Sequence, residues 1–201
     1  MPRNPHPPVG VHTTMNPLLL ALALSAQAGD APLLHARADA LALTWPLPRV
    51  SIVVDKSDRQ LTLYSGDTVV QTYPVDLSPE PVGDKVRQGD KMTPVGTFHV
   101  VTRNPNSHFT LFMGLSYPTA EDAERGLSAG LITEEQAKAI READAAGRVP
   151  PWNTRLGGAV GLHGMGGVGV DWTLGCVAVS DDAIRELWEV VPYGASVTIR
   201  E

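Results

Sequence analysis

Residues 162–177 have the sequence LHGMGGVGVDWTLGCV, which contains the only cysteine of the chain, Cys176, and places His163 thirteen positions before it. A cysteine attacks as its thiolate, and near neutral pH it needs a neighbouring base to form one. The residues between the two are mostly glycine and valine, which favours a tight loop joining two strand ends. Such a loop can bring the imidazole to the sulfur, so we predict that Cys176 and His163 form the functional pair.

The composition is that of a globular protein with one domain and a leader. Hydrophobic residues make up 43% of the 201 residues and charged residues 19%, which is ordinary for such a domain. The 17 prolines and 19 glycines favour strands and turns over a helical bundle. The formal net charge of −6 argues against a basic surface that follows a phosphate backbone. We therefore expect no nucleic acid partner.

The N-terminal residues have the features of a secretory leader. Residues 18–24 are only Leu and Ala, and residues 25–28, Ser-Ala-Gln-Ala, form a small-residue cleavage signal. The sequence therefore predicts a signal peptide over residues 1–28, with Met15 as an alternative start, and export to the periplasm or cell envelope. In an oxidising compartment a lone cysteine is either buried and inert or kept for its chemistry, and this observation leaves both open.

The apolar pattern after residue 48 predicts a domain that is mainly β with helices, an α+β fold over residues 49–201. Residues 29–48 are interpreted as a lead-in with at most one helical turn, and residues 76–88 as a mobile surface excursion. Two capping signals predict a helical insertion over about 119–147, broken by Gly126 and Gly130 into two short helices. We expect the insertion to pack on the sheet, with a helical hairpin beside a substrate cleft as the alternative. Ser180 is expected to cap a C-terminal helix. The predicted strands are residues 50–55, 60–64, 68–73, 97–102, 109–115, 152–162, 175–179 and 196–199.

The sequence contains two alternatives to the Cys–His pair, a nucleotide site and a metal site. The glycines of residues 164–169 match the letters of the dinucleotide-binding pattern, but no helix period and no βαβ unit follow them, so we expect no nucleotide. His99 and His108 are the other candidates to share a metal ion with His163 and Cys176, but the chain has no paired ligand spacing. The sequence therefore predicts no cofactor.

From about Val50 to the C-terminus the chain resembles the L,D-transpeptidase (YkuD-like) catalytic domain of bacterial cell-wall enzymes. The matching segments are His163-Gly164, Thr173-Leu174-Gly175-Cys176-Val177, and an upstream Lys91-Met92-Thr93-Pro94-Val95-Gly96-Thr97-Phe98 segment. The subgroup with T-x-G-C and a helical insertion is the most similar. The resemblance implies a β-sandwich or mixed sheet with a C-terminal helix and strand.

Two positions depart from the family pattern. Leu174 stands where the family usually has a second histidine, and Ala178 where Arg or Asn is common. Cys176 and His163 are both present, so the thiolate route remains open. The departures put the additional substrate contacts of the cysteine loop in doubt.

The resemblance implies a thioester mechanism on peptidoglycan stem peptides. Cys176 would attack the carbonyl before a D-amino acid, and His163 would take the thiol proton and pass it to the leaving amine. The Gly164 carbonyl would orient the imidazole, and the N–H groups of Gly175 and Cys176 would hold the oxyanion. The acceptor would be a stem peptide, a wall-anchored protein, a free D-amino acid or water. Transferase, hydrolase and a non-catalytic binding module therefore all remain open.

Four further side chains are candidate substrate contacts. Thr173 lies in the cysteine loop, and Tyr117 precedes the helical insertion. Arg155 is a candidate partner for a stem-peptide carboxylate. Trp172 flanks the loop and can stack on substrate, although aromatic packing is the default explanation for it.

Overall fold

The structure, a computed structural model, describes Met1 and residues 34–201. The predicted signal peptide and its cleavage site lie outside the described residues. In the described part no helix is both long enough and apolar enough to cross a membrane.

The domain contains a mixed sheet of eight strands. In spatial order β3-β2-β1-β8-β4-β5-β6-β7, β1 is parallel to β8 and β6 is parallel to β7, whereas the other neighbours are antiparallel. The α+β class and the mixed sheet are therefore confirmed. The strands are β1 Val50–Asp55, β2 Gln60–Ser65, β3 Thr68–Pro74, β4 Gly96–Asn104, β5 Phe112–Leu115, β6 Gly161–His163, β7 Val177–Ala178 and β8 Ser196–Arg200.

The first three strands form the predicted meander. In β2 the apolar side chains of Leu61 and Leu63 are fully buried and alternate with half-buried polar residues, as expected for a strand with one face on the core. The turn between β2 and β3 is the predicted Gly66–Asp67 loop. Gly66 has φ +59°, in the left-handed region that glycine enters without a Cβ penalty.

Four helices lie in the described part of the chain: α1 Leu34–Ala40, α2 Ala120–Ser128, α3 Glu134–Ala145 and α4 Asp181–Val190. Thr119 and Thr133 form capping boxes at α2 and α3, and Ser180 caps α4. The predicted lead-in contains α1, which is longer than the expected single turn because Leu34 and Ala38 are buried in the core.

Helices α2 and α3 occupy the predicted helical insertion, but their apolar faces do not join the core of the sheet. They pack against each other and against Leu156 in a separate small cluster. The expectation that the insertion packs on the sheet is therefore wrong. Gly126 also lies within α2 instead of breaking it, and the break falls at Gly130, which has φ +66°.

Two predicted segments have a different structure. Residues 152–160 are irregular, and only Gly161–His163 of the predicted strand pairs with the sheet. The connection over residues 76–88, predicted to be a mobile surface excursion, instead contributes buried residues. Asp76, Leu77 and Lys85 are each at most 3% exposed, and Asp76 forms an antiparallel bridge with Ala178 beside β7. This segment therefore covers the edge of the sheet that carries the cysteine.

Candidate active site

The register of β6 and β7 brings Cys176 and His163 to the same face of the sheet. Leu162 lies opposite Val177 and His163 opposite Ala178 in this parallel pair. Because side chains alternate faces along a strand, Cys176 continues β7 on the His163 face, two positions back. If the ideal strand geometry continues to Cys176, strand spacing and rise predict a Cα–Cα distance of about 8 Å between the two residues.

His163 is held by contacts on both sides of its ring. Its side chain is buried, and Nδ1 lies 2.7 Å from the carbonyl oxygen of Gly164, the residue to which the resemblance assigns the orientation of the imidazole. Because a carbonyl oxygen only accepts, Nδ1 carries the proton and Nε2 is the basic nitrogen. The ring stacks on Phe109 with 4.6 Å between centroids and meets the edge of Trp172 at 5.6 Å.

Burial sets the charge state of the imidazole. Desolvation lowers the pKa of His163 below its ordinary value of 6.5, although the Gly164 hydrogen bond opposes the shift. The neutral imidazole is therefore the dominant form at neutral pH. A neutral histidine with a free Nε2 is the form required of a general base.

The Cys176 thiol is only partly exposed and lies against the irregular segment before β6. Its Sγ is 3.5 Å from the carbonyl oxygen of Ala159. Ala159 has φ +53°, a strained conformation for a residue with a Cβ, which directs this carbonyl at the sulfur. Burial raises the pKa of the thiol to about 11, against the opposing effects of a backbone hydrogen bond from Gly161 and the positive charge of Lys85. The resting pair is therefore a neutral thiol and a neutral imidazole.

Thr173 organises the cysteine loop from inside. Its side chain is buried, and its hydroxyl accepts the N–H of Gly175 at 3.3 Å and donates to the carbonyl oxygen of Cys176 at 2.8 Å. The hydroxyl proton of Thr173 and one of its two lone pairs are thus used within the loop, and the substrate contact at Thr173 stays a prediction. The same bond engages the Gly175 N–H in the resting structure, and its role as an oxyanion donor also stays a prediction. The Cys176 N–H donates to no atom of the described residues.

A buried carboxylate holds the glycine-rich loop between the two strands. Asp76 is fully buried, and its oxygens accept the backbone N–H groups of Val168 at 3.1 Å, Gly169 at 2.8 Å and Val170 at 3.2 Å. Successive backbone N–H groups that converge on one anion stabilise a loop strongly. Asp76 therefore fixes the path of the chain from His163 to Cys176.

Gly164 occupies a position that admits no side chain. A Cβ there would lie 2.5 Å from Asp181 Oδ1 and 2.9 Å from the Phe109 carbonyl oxygen. Asp181 Oδ1 in turn accepts the hydroxyl of Thr110 and the N–H of Met165, at 2.8 and 2.9 Å. This packing ties the residue after the histidine to the start of α4.

A model of the L,D-transpeptidase (YkuD) catalytic domain matches residues 49–199, three quarters of the chain. The chain belongs to the L,D-transpeptidase catalytic domain family. A search of curated proteins gave no match.

Solved structures with the same fold include Pgp2, a helical cell shape determining protein from Campylobacter jejuni. The chain is 20% identical to it and covers 76% of its own length and 47% of the Pgp2 chain, with a TM-score of 0.53. The chain is 19% identical to a mutant of the same protein; the match covers 79% of this chain and 49% of the mutant's chain, with a TM-score of 0.54. It is 17% identical to an L,D-transpeptidase from Xylanimonas cellulosilytica; that match covers 85% of this chain and 70% of the other, with a TM-score of 0.47. The chain thus spans about half the length of the Pgp2 chain.

The two departures from the family pattern have different surroundings. Leu174 is 76% exposed beside the cysteine loop. Ala178 is fully buried, and a Cβ on Gly166 would clash with its Cβ. An arginine or asparagine side chain at position 178 therefore has no room unless the glycine-rich loop moves.

The remaining predicted substrate contacts are placed as follows. Tyr117 is fully buried, and its hydroxyl donates to the carbonyl oxygen of Leu156 at 3.1 Å, so the prediction of a substrate contact there is wrong. Trp172 is 36% exposed and packs against the imidazole. Arg155 is exposed and lines an open groove of about 400 Å³ with Arg87, Gln88 and Gly89.

Several residues around this site had no predicted role. Asp76, Lys85 and Asp90 lie in the segment interpreted as a surface excursion or just after it, and Phe109 was assigned only to a strand. Two features of the sequence could have indicated a role for these residues. The connection is long, and long ordered loops are often functional; it also carries several charged residues between its Pro and Gly positions.

The residues 34–201 contain no group of three or more His, Cys, Asp or Glu side chains arranged to hold a metal ion.

Proposed function

We propose that this protein is an exported acyl-transferase that acts on peptidoglycan stem peptides through a thioester on Cys176. The observation that carries the proposal is the orientation of His163. Its Nδ1 is committed to the Gly164 carbonyl, so Nε2 is the free base on the face of the sheet that carries the thiol. Family membership supplies the substrate class, since L,D-transpeptidases act on stem peptides.

In the first half-reaction Cys176 Sγ forms a bond to the carbonyl carbon that precedes a D-amino acid. The thiol proton moves to His163 Nε2 during the attack, because the resting pair is neutral. The tetrahedral intermediate collapses, the C–N bond breaks, and Nε2 returns the proton to the leaving amine. The Cys176 N–H, which has no acceptor in the described part of the chain, is the backbone donor for the oxyanion.

In the second half-reaction an acceptor amine attacks the thioester carbonyl. His163 Nε2 takes a proton from that amine, the C–S bond breaks, and the proton returns to the sulfur. The acceptor is the amine of a second stem peptide, of a wall-anchored protein or of a free D-amino acid. Water in the same position would give hydrolysis by the same steps.

The groove lined by Arg87 and Arg155 supports a carboxylate subsite for the donor peptide. Both guanidinium groups are exposed, and no described carboxylate forms a salt bridge with either. One short segment contacts both the groove and the thiol, since the Arg155 carbonyl accepts the Gln88 N–H and the Ala159 carbonyl oxygen is 3.5 Å from the sulfur. Arginine is well suited to bidentate carboxylate binding.

The experiment incubates the full chain with purified muropeptides and a D-amino acid and follows the products by mass spectrometry. A new crosslink or D-amino-acid exchange is expected from wild type and from His99→Gln, an exposed histidine on β4, but not from Cys176→Ala or His163→Gln. Loss of a stem residue without a new bond would replace the transferase with a hydrolase. If every muropeptide stays intact but is retained on immobilised wild-type protein, the binding module replaces the enzyme.

Export rests on the residue pattern of the leader alone and belongs to this proposal. Expression in a Gram-negative host followed by fractionation and N-terminal sequencing tests it. A periplasmic chain that begins at Gly29 is expected, and an intact leader in the cytoplasmic fraction would contradict it.

A further inference from the structure

We propose that the Lys85 ammonium, held by Asp90 beneath the cysteine loop, supplies the positive charge that stabilises the thiolate of Cys176 as it forms. This inference rests on the proposed role of Cys176 as nucleophile. Lys85 acts through the electric field at the sulfur and is a positioning residue, without contact to substrate.

The first observation is that Lys85 is a buried cation with a fixed position. Its side chain is 4% exposed, and Nζ donates to Asp90 Oδ1 at 2.7 Å and to the Arg87 carbonyl oxygen at 3.1 Å. An ammonium has three N–H donors, so one remains without an acceptor among the described residues. Burying a charge is unfavourable unless it is paired, and Asp90 supplies the pairing.

Asp90 is itself held as an anion by the backbone around it. Its oxygens accept the N–H groups of Val86 and Arg87, both at 2.8 Å, and of Met92 at 3.1 Å. Burial opposes the ionisation of Asp90, but the bond from Lys85 and these three backbone bonds outweigh it, so the pKa of Asp90 lies below its ordinary value. The ion pair is therefore present throughout the neutral pH range.

The third observation is the proximity of this cation to the nucleophile. A Cβ on Gly175, the residue before Cys176, would lie 3.8 Å from Lys85 Nζ and 2.7 Å from the Met92 carbonyl oxygen. Gly175 has φ +128°, and its lack of a side chain admits the carbonyl oxygen of Met92, while the ammonium of Lys85 lies at contact distance beside it. The segment that carries Lys85 and Asp90 thus packs directly under the cysteine loop.

The field at the thiol comes from few charged groups. His163 faces it from β6 and is neutral in the resting state, and Lys85 faces it from the connection between β3 and β4. The charge of Lys85 lowers the pKa of the thiol, against the larger opposing effect of burial. A cation near the sulfur favours the thiolate, which a general base must otherwise produce alone.

The experiment replaces Lys85 with neutral side chains and measures alkylation of the full chain by iodoacetamide, an uncharged reagent, between pH 7 and 9.5. Lys85→Met leaves Asp90 its three backbone N–H partners, and its apolar stem lines a cavity of about 170 Å³ with Tyr117 and Leu156. Lys85→Gln keeps a donor toward Asp90 without the charge. Because the chain has one cysteine, the modified fraction reports on Cys176 alone.

The matched control is Lys56→Met. Lys56 is 1% exposed, pairs with Glu201 at 2.8 Å and donates to the carbonyl oxygens of Gly83 and Thr93. It is therefore a second buried, paired lysine, located after β1 and in contact with the same connection, but it does not contribute to the pKa of Cys176. Thermal unfolding of each variant identifies those that fold, and Lys85→Arg, which keeps the charge, is measured alongside them.

The neutral variants at position 85 are expected to need a pH about half to one unit higher for the same thiolate fraction, which is about three- to tenfold less thiolate at fixed pH. Because a more basic thiolate is a better nucleophile, the alkylation rate falls less, by about two- to threefold. Wild-type rates are expected for Lys56→Met and Lys85→Arg. Wild-type rates in a folded neutral variant at position 85, or an equal fall in Lys56→Met, would overturn the proposal.

A further outcome keeps this test independent of the proposed reaction. If alkylation follows the expected pattern but wild type leaves muropeptides unchanged, the Lys85 field stands and the acyl-transferase activity fails. If wild type converts muropeptides but the alkylation rate does not change in the neutral variants at position 85, the acyl-transferase activity stands and the proposed role of Lys85 fails.

Discussion

Asp76 offers the sharpest test of how the site is held together, because one buried carboxylate accepts three consecutive N–H groups at the centre of the loop between His163 and Cys176. We consider Asp76→Ala and Asp76→Asn. The backbone of residue 76 exchanges two hydrogen bonds with Ala178, at 2.8 and 2.9 Å, and both replacements leave them in place. The perturbation is thus confined to the carboxylate.

The magnitude follows from the three N–H groups of residues 168–170 that the carboxylate accepts. A hydrogen bond to a charged group contributes about 1.5–3 kcal/mol, and a buried donor left without an acceptor costs about 1–3 kcal/mol. Val168 is 73% exposed, so the loop can open and rehydrate, which limits the loss. We expect Asp76→Ala to lower the free energy of unfolding by about 3–5 kcal/mol.

Asp76→Asn separates the three bonds. Oδ1 accepts Gly169 and Val170 and can remain as the amide oxygen, whereas Oδ2, which accepts Val168, becomes an NH2 group that faces a donor. This variant therefore loses one bond of three, and we expect a loss of about 1–3 kcal/mol.

Denaturant unfolding of wild type, the two variants and Asp58→Ala, an exposed control, measures these differences. For a chain of this size 1 kcal/mol corresponds to about 2–4 °C in Tm, so a loss of about 3–5 kcal/mol should lower the Tm of Asp76→Ala by roughly 6–20 °C. A loss below about 1 kcal/mol in Asp76→Ala, or an equal loss in the two variants, would refute the view that the three N–H bonds hold the loop.

Two further predictions concern the imidazole and Tyr117. Because burial lowers the pKa of His163, the acid limb of kcat/KM should have its midpoint below pH 6.5, and a midpoint above 6.5 would contradict the buried neutral base. Because the pKa of His163 is lower in the folded protein, the unfolded chain binds more protons below pH 6.5, and the free energy of unfolding falls as the pH drops through that range. In urea unfolding between pH 5 and 7, His163→Gln should lack the contribution of His163 to this pH dependence. Tyr117→Phe should lower the free energy of unfolding by about 1–2 kcal/mol, since the Leu156 carbonyl loses its donor, and should leave KM unchanged. A severalfold rise in KM with unchanged stability would restore Tyr117 as a substrate contact.

Local patterns in the sequence were sufficient to predict the strands, turns and helix starts that are stabilised by contacts between residues close in sequence. The alternation in residues 60–64 and the Gly66–Asp67 turn predict β2 and its hairpin, and Thr133 predicts the start of α3, because each depends on contacts within a few residues. The spacing of His163 and Cys176 also sufficed to predict that one loop would join them. The orientation of the imidazole by the Gly164 carbonyl is likewise a contact between sequence neighbours.

The tertiary structure alone decided which residues surround that pair. Residues 152–160 were predicted as part of a strand, yet they are irregular, because β5 has only four residues and its pairing extends only over Gly161–His163. The charged connection after β3 was interpreted as a surface excursion, because the residues that explain its burial are distant in sequence. The N–H groups that Asp76 accepts lie 92–94 residues away, and although Lys85 pairs locally with Asp90, its neighbour Gly175 lies in the distant cysteine loop. Burial of a carboxylate or an ammonium is stable only where the fold brings such partners together, so their roles follow from long-range contacts and not from local pattern.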